Sequence, residues 1–123
     1  MINLALLAGE WEYLTSRHVA GGPGLPIANI NPRRFSITFT YNDPDPTVNQ
    51  NSAVVLITPV IGDDASGFFI PCWTPLVIDY PHHGGLVGLQ WYATKIRGPG
   101  GNVDVVEVIQ TAGPRSAPAM EAR

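Results

Sequence analysis

The sequence predicts an all-β domain, either an antiparallel β-sandwich or a jelly-roll-like barrel, with an N-terminal arm. Short apolar runs between residues 31 and 110 are separated by Pro, Gly, Asn and Asp, which are residues that favour turns. The segment 34–41 alternates apolar and polar side chains, as a half-buried strand does. Glycine occurs 13 times and proline 12 times in 123 residues, a composition that suits many turns between short strands.

Two predicted strands have the clearest patterns. In the strand predicted at 34–41, one face is expected to lie in the core. Its side chains are those of Phe35, Ile37, Phe39 and Tyr41. The run 53–58 is almost entirely apolar, which indicates a strand covered on both faces. A polar loop over 42–52 separates the two strands, and its Asp43 and Asp45 are expected to cap turns rather than to bind calcium.

The other predicted strands are shorter or interrupted. Strands at 68–70 and 76–80 each border a proline, which belongs at a strand end or at a sheet edge. The longest strand is predicted at 86–94, where Gly88 indicates a bulge or a close approach of another backbone segment. The last strand spans 103–110, and two adjacent valines within it predict burial on both faces or a bulge.

The chain is predicted to divide into an arm with its linker at 1–26, a β-sandwich domain at 27–110 and a C-terminal tail at 111–123. Apolar side chains of the arm recur at intervals of three and four, as along one stripe of a helix. They are the predicted partner-binding residues, namely Leu4, Leu7, Trp11 and Leu14. The Gly/Pro-rich segment 20–26 cannot hold a regular element, so we expect it to let the arm leave its own domain.

The conformation of the arm stays open at this point. Gly9 disfavours a helix, because glycine loses more backbone entropy there than other residues do. The alternative is an extended arm, in which Trp11 and Tyr13 lie on one side and Glu12 on the other. In either form the apolar side chains need cover, from the domain's own core or from a partner.

Composition and charge argue against several classes of partner. A net charge of −3, with 14% charged residues, provides no basic surface for the phosphates of nucleic acid. No apolar run is long enough to span a bilayer, so we expect no membrane partner. Cys72 is the single cysteine, which excludes an intramolecular disulfide, and its apolar neighbours predict a buried thiol. The low charge also indicates that neighbouring subunits cover part of the exterior.

One cluster of side chains resembles a metal or acid/base site. His82 and His83 are adjacent and follow Asp79 closely. Adjacent histidines rarely direct both rings at one ion, so we expect no metal and no cofactor there. His18 and the serines lack a Gly-x-Ser-x-Gly elbow, so no catalytic residue is predicted and the protein is expected not to be an enzyme.

Three aromatic side chains raise the alternative of a sugar-binding platform. Trp73, Trp91 and Tyr92 have flat rings of the kind that stack on sugars. All three lie in apolar strand patterns, so we expect them to pack in the core.

Three segments resemble strands of small β-sandwich structural proteins of tailed-bacteriophage virions. They are Asn31–Phe39, where a polar opening leads into an alternating strand, Thr74–Asp79 and Val103–Ile109. The resemblance implies a non-enzymatic virion protein, either a capsid decoration (cement) protein that bridges neighbouring capsid subunits or the base of a head fibre. It also implies that the major capsid protein is the partner, that the protein is a homotrimer, and that it lies on the capsid exterior after assembly in the host cytoplasm.

Other functions stay open beside this one. The N-terminal stripe and the linker depart from a minimal decoration domain, so a head-tail connector or another tail-associated structural protein is an alternative. From other classes, a carbohydrate-binding β-sandwich would use the aromatic side chains, and a cupin-like metalloenzyme would use the adjacent histidines.

Overall fold

The computed structural model describes residues 10–20, 24–42, 53–62, 64–98 and 100–112. Its strands are β1 (Glu10–Val19), β2 (Leu25–Ala28), β3 (Arg34–Asn42), β4 (Val54–Thr58), β5 (Phe68–Pro71), β6 (Leu76–Asp79), β7 (Trp91–Arg97) and β8 (Asn102–Ala112). A single helical turn, α1 (Tyr80–His83), and two 3₁₀ turns, Asp64–Ser66 and Gly84–Gly88, complete the described elements. Within these ranges, no helix has the length and apolar character needed to cross a membrane.

The strands form two antiparallel four-stranded sheets that pack face to face, which confirms the predicted all-β sandwich. Sheet A has the strand order β1-β8-β3-β6, and sheet B has the order β2-β7-β4-β5. At the centre, the ring of Phe39 in sheet A lies 5.3 Å from that of Trp91 in sheet B, centroid to centroid. Both side chains are fully buried, so this contact joins the two inner faces.

Alternation along β3 builds the middle of sheet A. Ile37, Phe39 and Tyr41 are fully buried, as predicted, whereas Thr38 is half-buried on the opposite face. Phe35 departs from the predicted pattern, because the register shifts next to it and leaves its side chain only partly buried. The interruption is a β-bulge or similar irregularity, which re-aims the side chain beside it.

The strands of sheet B follow their sequence patterns. In β4, Val55 and Ile57 are fully buried on one face, and Leu56 is buried on the other, which confirms a strand covered on both sides. This strand lies between two others, as continuous apolarity requires. Both strands predicted beside a proline, β5 and β6, lie at a sheet edge.

The prediction of a strand at 86–94 is wrong for the first half of this segment. Residues Gly84–Gly88 form a 3₁₀ turn, and the strand begins at Trp91. The predicted close approach at Gly88 is nevertheless present, because its carbonyl accepts a hydrogen bond from the Asn31 N–H at 2.9 Å. A Cβ at Gly88 would lie 2.9 Å from the Asn31 carbonyl oxygen, so a side chain would not fit there.

The last predicted strand is present but its adjacent valines behave differently from the prediction. In β8, Val105 is fully buried on the inner face of sheet A, and Val106 is 37% exposed on the outer face. Pairing with β3 runs through both residues without a register shift. The run therefore reflects neither burial on both faces nor a bulge but an apolar side chain left on the surface.

The described part of the predicted arm is a strand. Strand β1 pairs along its length with β8, from Glu10 opposite Ala112 to Val19 opposite Asn102. Pairing with a strand distant in sequence supplies its backbone hydrogen bonds, which is why the extended form replaces the helical stripe. Strand β2 crosses the predicted boundary between residues 26 and 27. Residues 1–9, with Leu4 and Leu7, lie outside the described residues, as do most of the 42–52 loop and of the tail.

A buried guanidinium holds one end of the sandwich together. Arg34 is 2% exposed, and its Nε donates to Glu107 Oε1 at 2.8 Å. Its Nη1 donates to the carbonyls of Val87 and Leu89, and its Nη2 donates to that of Asn29. The fork of donors therefore connects β8, the 3₁₀ turn and the segment after β2 through one side chain.

We expect Phe39→Ala to lower the free energy of unfolding by about 3–5 kcal/mol, because it opens a cavity between the sheets beside Trp91. Thr38→Ala, the adjacent residue on the outer face, is the matched control and should cost about 1 kcal/mol or less. Urea unfolding followed by circular dichroism measures both, and equal small losses would contradict the assignment of the two faces.

We expect Arg34→Met to lower the free energy of unfolding by about 3–5 kcal/mol, because it leaves the Glu107 carboxylate partly buried without its partner. Arg17→Met is the control, since it removes a charge from an ion pair whose arginine is largely exposed. Chemical denaturation of both variants gives the comparison, and a larger loss for Arg17→Met would contradict the proposed role of Arg34.

Candidate functional site

Strand β1 presents the longest edge of the described sheets. It has ten residues, whereas the other edge strands, β2, β5 and β6, have four each. One side of β1 pairs with β8, and the other side faces no described strand. Alternate residues of an edge strand direct backbone N–H and C=O groups outward, so β1 can accept a further strand.

The structure does not join the two predicted partner-binding residues that it describes, Trp11 and Leu14, into one stripe. Trp11 and Leu14 are three residues apart in a strand, so their side chains lie on opposite faces. Trp11 packs edge to face against Phe35 on the outer face, with ring centroids 5.7 Å apart. Leu14 lies on the inner face opposite Glu107 and is partly exposed. Their binding role stays a prediction.

The outer face of sheet A carries exposed apolar side chains, which we call the outer apolar face. Its members are Tyr13, Val19, Val77 and Val106. Tyr13 is 72% exposed and Val77 is 50% exposed. Val77, Thr38, Val106 and Thr15 lie side by side across the four strands. Neighbouring valines that are exposed on a sheet face form a surface that a partner can cover.

The residues of this face had weak signals in the sequence. The extended alternative for the arm already places Tyr13 beside Trp11. The adjacent valines of β8 were a second signal, because alternation requires one of any such pair to point away from the core. Nothing in the sequence marks Val77 as exposed, since its strand reads as uniformly apolar.

An ion pair on the same face fastens β1 to β8. Arg17 donates to both carboxylate oxygens of Asp104, with N–O distances of 2.6 and 3.0 Å. The Asn42 side chain donates a third hydrogen bond to Asp104 at 2.6 Å. The bond from Arg17 is the main reason that the pKa of Asp104 lies below its ordinary value. The carboxylate therefore stays ionised at a lower pH than an unpaired aspartate does.

The inner face of β1 lines a cleft of about 250 Å³ at the open side of the sandwich. Ser16 and His18 line it, with Ser16 Oγ 3.0 Å from His18 Nε2, and residues 26–29 also line it. Glu107, which also lines the cleft, is paired with Arg34. Among the residues that the structure describes, no side chain orients the His18 ring through its other nitrogen, as a serine–histidine hydrolase requires.

Asp79 is the N-cap of α1, the turn that contains the adjacent histidines. One carboxylate oxygen of Asp79 accepts the backbone N–H of His82 at 2.9 Å and lies 2.7 Å from its ring Nδ1. The Nδ1 of His83 accepts the backbone N–H of Asp79 at 3.2 Å, so this nitrogen is already used. The described ranges contain no group of three or more His, Cys, Asp and Glu side chains that could hold a metal. That the site binds no metal stays a prediction.

The three aromatic side chains considered for a platform do not share a surface. Trp91 is fully buried in the core, as expected, and the adjacent Tyr92 is half-buried on the other face of sheet B. Trp73 was expected in the core but is 52% exposed, in the loop between β5 and β6. Its φ of 70° is unusual for a bulky residue and accompanies a backbone hydrogen bond to the Tyr41 carbonyl.

Comparison of the chain with models of protein families, with curated proteins and with solved structures found no match. Function must therefore be inferred from the surfaces just described. Of these, the outer apolar face and the edge of β1 adjoin each other.

We expect Asp104→Asn to destabilise the protein at pH 7 but not in strong acid. Because the folded-state pKa of Asp104 is lowered, its stabilising effect is present above the ordinary value of about 3.9 and is lost as the pH falls through the folded-state value. Urea unfolding of both proteins between neutral and strongly acidic pH measures the difference. In a protein that already carries Arg17→Gln, adding Asp104→Asn should cause much less destabilisation at pH 7. If the difference in the free energy of unfolding between the two proteins does not shrink in acid, the stabilising role of the ion pair is contradicted.

Proposed function

We propose that this protein is a non-enzymatic structural protein that binds its partners through sheet A. In agreement with the resemblance described above, we propose that it is a capsid decoration protein of a tailed-bacteriophage virion. The observation that carries the proposal is the outer apolar face, which combines exposed valines and a tyrosine on a regular sheet surface.

The chemistry of this face suits docking rather than catalysis. A buried Val or Tyr side chain gains about 1.5–3 kcal/mol relative to an exposed one, so several together give a moderate contact. A decoration protein needs no more than that at each site, because many copies on one shell act together. The threonines between the valines supply polar atoms that can stay hydrated at the margin of a contact.

The proposed partner is the major capsid protein, and the proposed location is the capsid exterior. A rigid sheet surface lets one copy span the boundary between two capsid subunits and resist their separation. Self-association belongs to this proposal. The resemblance predicts three copies, and the pairing of two copies argued below would replace that number.

Two other functions lead to different observations. A head-tail connector would bind at one vertex, so its copy number per particle would be far below that of a decoration protein. Carbohydrate binding is favoured by one observation, the exposed ring of Trp73. Glycan binding there would change tryptophan fluorescence, and Trp73→Ala would abolish that change.

We expect the double variant Val77→Lys and Val106→Lys to lose binding to empty shells of the cognate major capsid protein, because both changes place charge in the outer apolar face. The matched control is Ile96→Lys, which alters an exposed apolar residue of sheet B. Cosedimentation with shells gives the bound copies, and circular dichroism shows that each variant is folded. Equal binding by both variants, or no binding by the unaltered protein, would contradict the proposal.

A further inference from the structure

We propose that strand β1 pairs with β1 of a second copy of this chain. The two strands run antiparallel about a two-fold axis at Thr15, so the two A sheets become one continuous eight-stranded sheet. This proposal goes beyond the capsid role, since it needs no partner other than the chain itself.

Sheet geometry limits the possible registers. The two-fold axis of such a pair is perpendicular to the sheet, so the inner face of one copy continues as the inner face of the other. Opposed residues must then come from the same face of the sheet. This condition is met when the two-fold axis passes through a residue, and it is not met when the axis passes between two residues. An axis through Thr15 gives the longest overlap of the part of β1 that follows the register shift, because this residue lies at the middle of 11–19.

The side chains of β1 are complementary in this register. On the inner face, Glu12 lies opposite His18, and the symmetry repeats this pair. On the outer face, Tyr13 lies opposite Arg17, whose guanidinium can stay on Asp104 while stacking on the ring. The acidic residues of β1 lie in its first half and the basic ones in its second. Antiparallel pairing about its middle therefore places no like charges opposite each other.

Shifting the axis by one residue weakens this arrangement. With the axis at Leu14, Glu10 lies opposite His18 and Trp11 lies opposite Arg17, but this register depends on Glu10, which lies beyond the register shift between Glu10 and Trp11. With the axis at Ser16, Leu14 lies opposite His18, and no acidic residue lies opposite a basic one. Charge complementarity within the regularly paired residues 11–19 therefore favours the Thr15 register.

The edge of β1 also lacks most of the features that prevent strands from pairing. It contains no proline and no lysine, and its register shift lies at the first pair, between Glu10 and Trp11. Glu12 is a charge that points toward the inner face, which would discourage pairing with an unrelated strand. The proposed second copy places His18 against it and removes that penalty.

Charge exchange on the full-length chain tests the pairing. Glu12→Lys places lysine opposite His18, and His18→Glu places two glutamates opposite each other. Mixed in equal amounts, these variants form a pair in which both contacts are complementary. Glu10→Lys is the matched control, because in this register Glu10 lies opposite Ala20.

Sedimentation equilibrium at micromolar concentration measures the association, and circular dichroism shows that each variant is folded. We expect a dimer for the unaltered chain and for Glu10→Lys, a dimer at least about tenfold weaker for each of the other variants, and recovery on mixing. A monomer or a trimer of the unaltered chain, equal weakening by Glu10→Lys, or no recovery on mixing would overturn the proposal. Shell binding is measured separately, so either proposal can fail without the other.

Discussion

Alternation of side chains across a strand is the constraint on which this structure depends most. It divides the valines of β8 between the core and the surface, and it separates Trp91 from Tyr92. It also places Trp11 and Leu14 on opposite faces of β1. Apolar residues that look like one cluster in the sequence therefore serve two surfaces, and the outer apolar face consists of residues that alternation excludes from the core.

Local pattern predicted those parts of the fold in which local preference and burial agree. The faces of β3 and the double cover of β4 could be derived because each strand lies inside its sheet, between neighbours that bury it as its pattern requires. The 3₁₀ turn at Gly84–Gly88 could not be derived in this way. The carbonyls of Val87 and Leu89 accept hydrogen bonds from Arg34, which lies more than fifty residues earlier in the sequence. A guanidinium that fixes a distant turn leaves no signal in the sequence of that turn.

The candidate site was predictable only in part, for the same reason. The sequence marked the N-terminal segment as apolar and in need of cover, and the structure places the described part of that segment at the edge of sheet A. Its period was ambiguous, because Trp11 and Leu14 fit a helix and Trp11 and Tyr13 fit a strand. The partner strand β8, about ninety residues later, decides between them. The exposure of Val77 depends on what lies across the sheet, which no local pattern reports.

The two surfaces proposed for binding do not compete. Pairing along β1 uses the backbone groups of the edge and the side chains beside them, including Tyr13, whereas shell binding also uses Val77 and Val106, which lie farther from the edge and stand perpendicular to the sheet. A pair of chains would bring the Tyr13 and Val19 side chains of each copy close to the seam and would extend the outer apolar face across it. The linked surface then carries twice the number of contacts on one rigid body, so two moderate contacts act as one stronger contact. Self-pairing would therefore leave the outer apolar face available for binding to a repeating lattice.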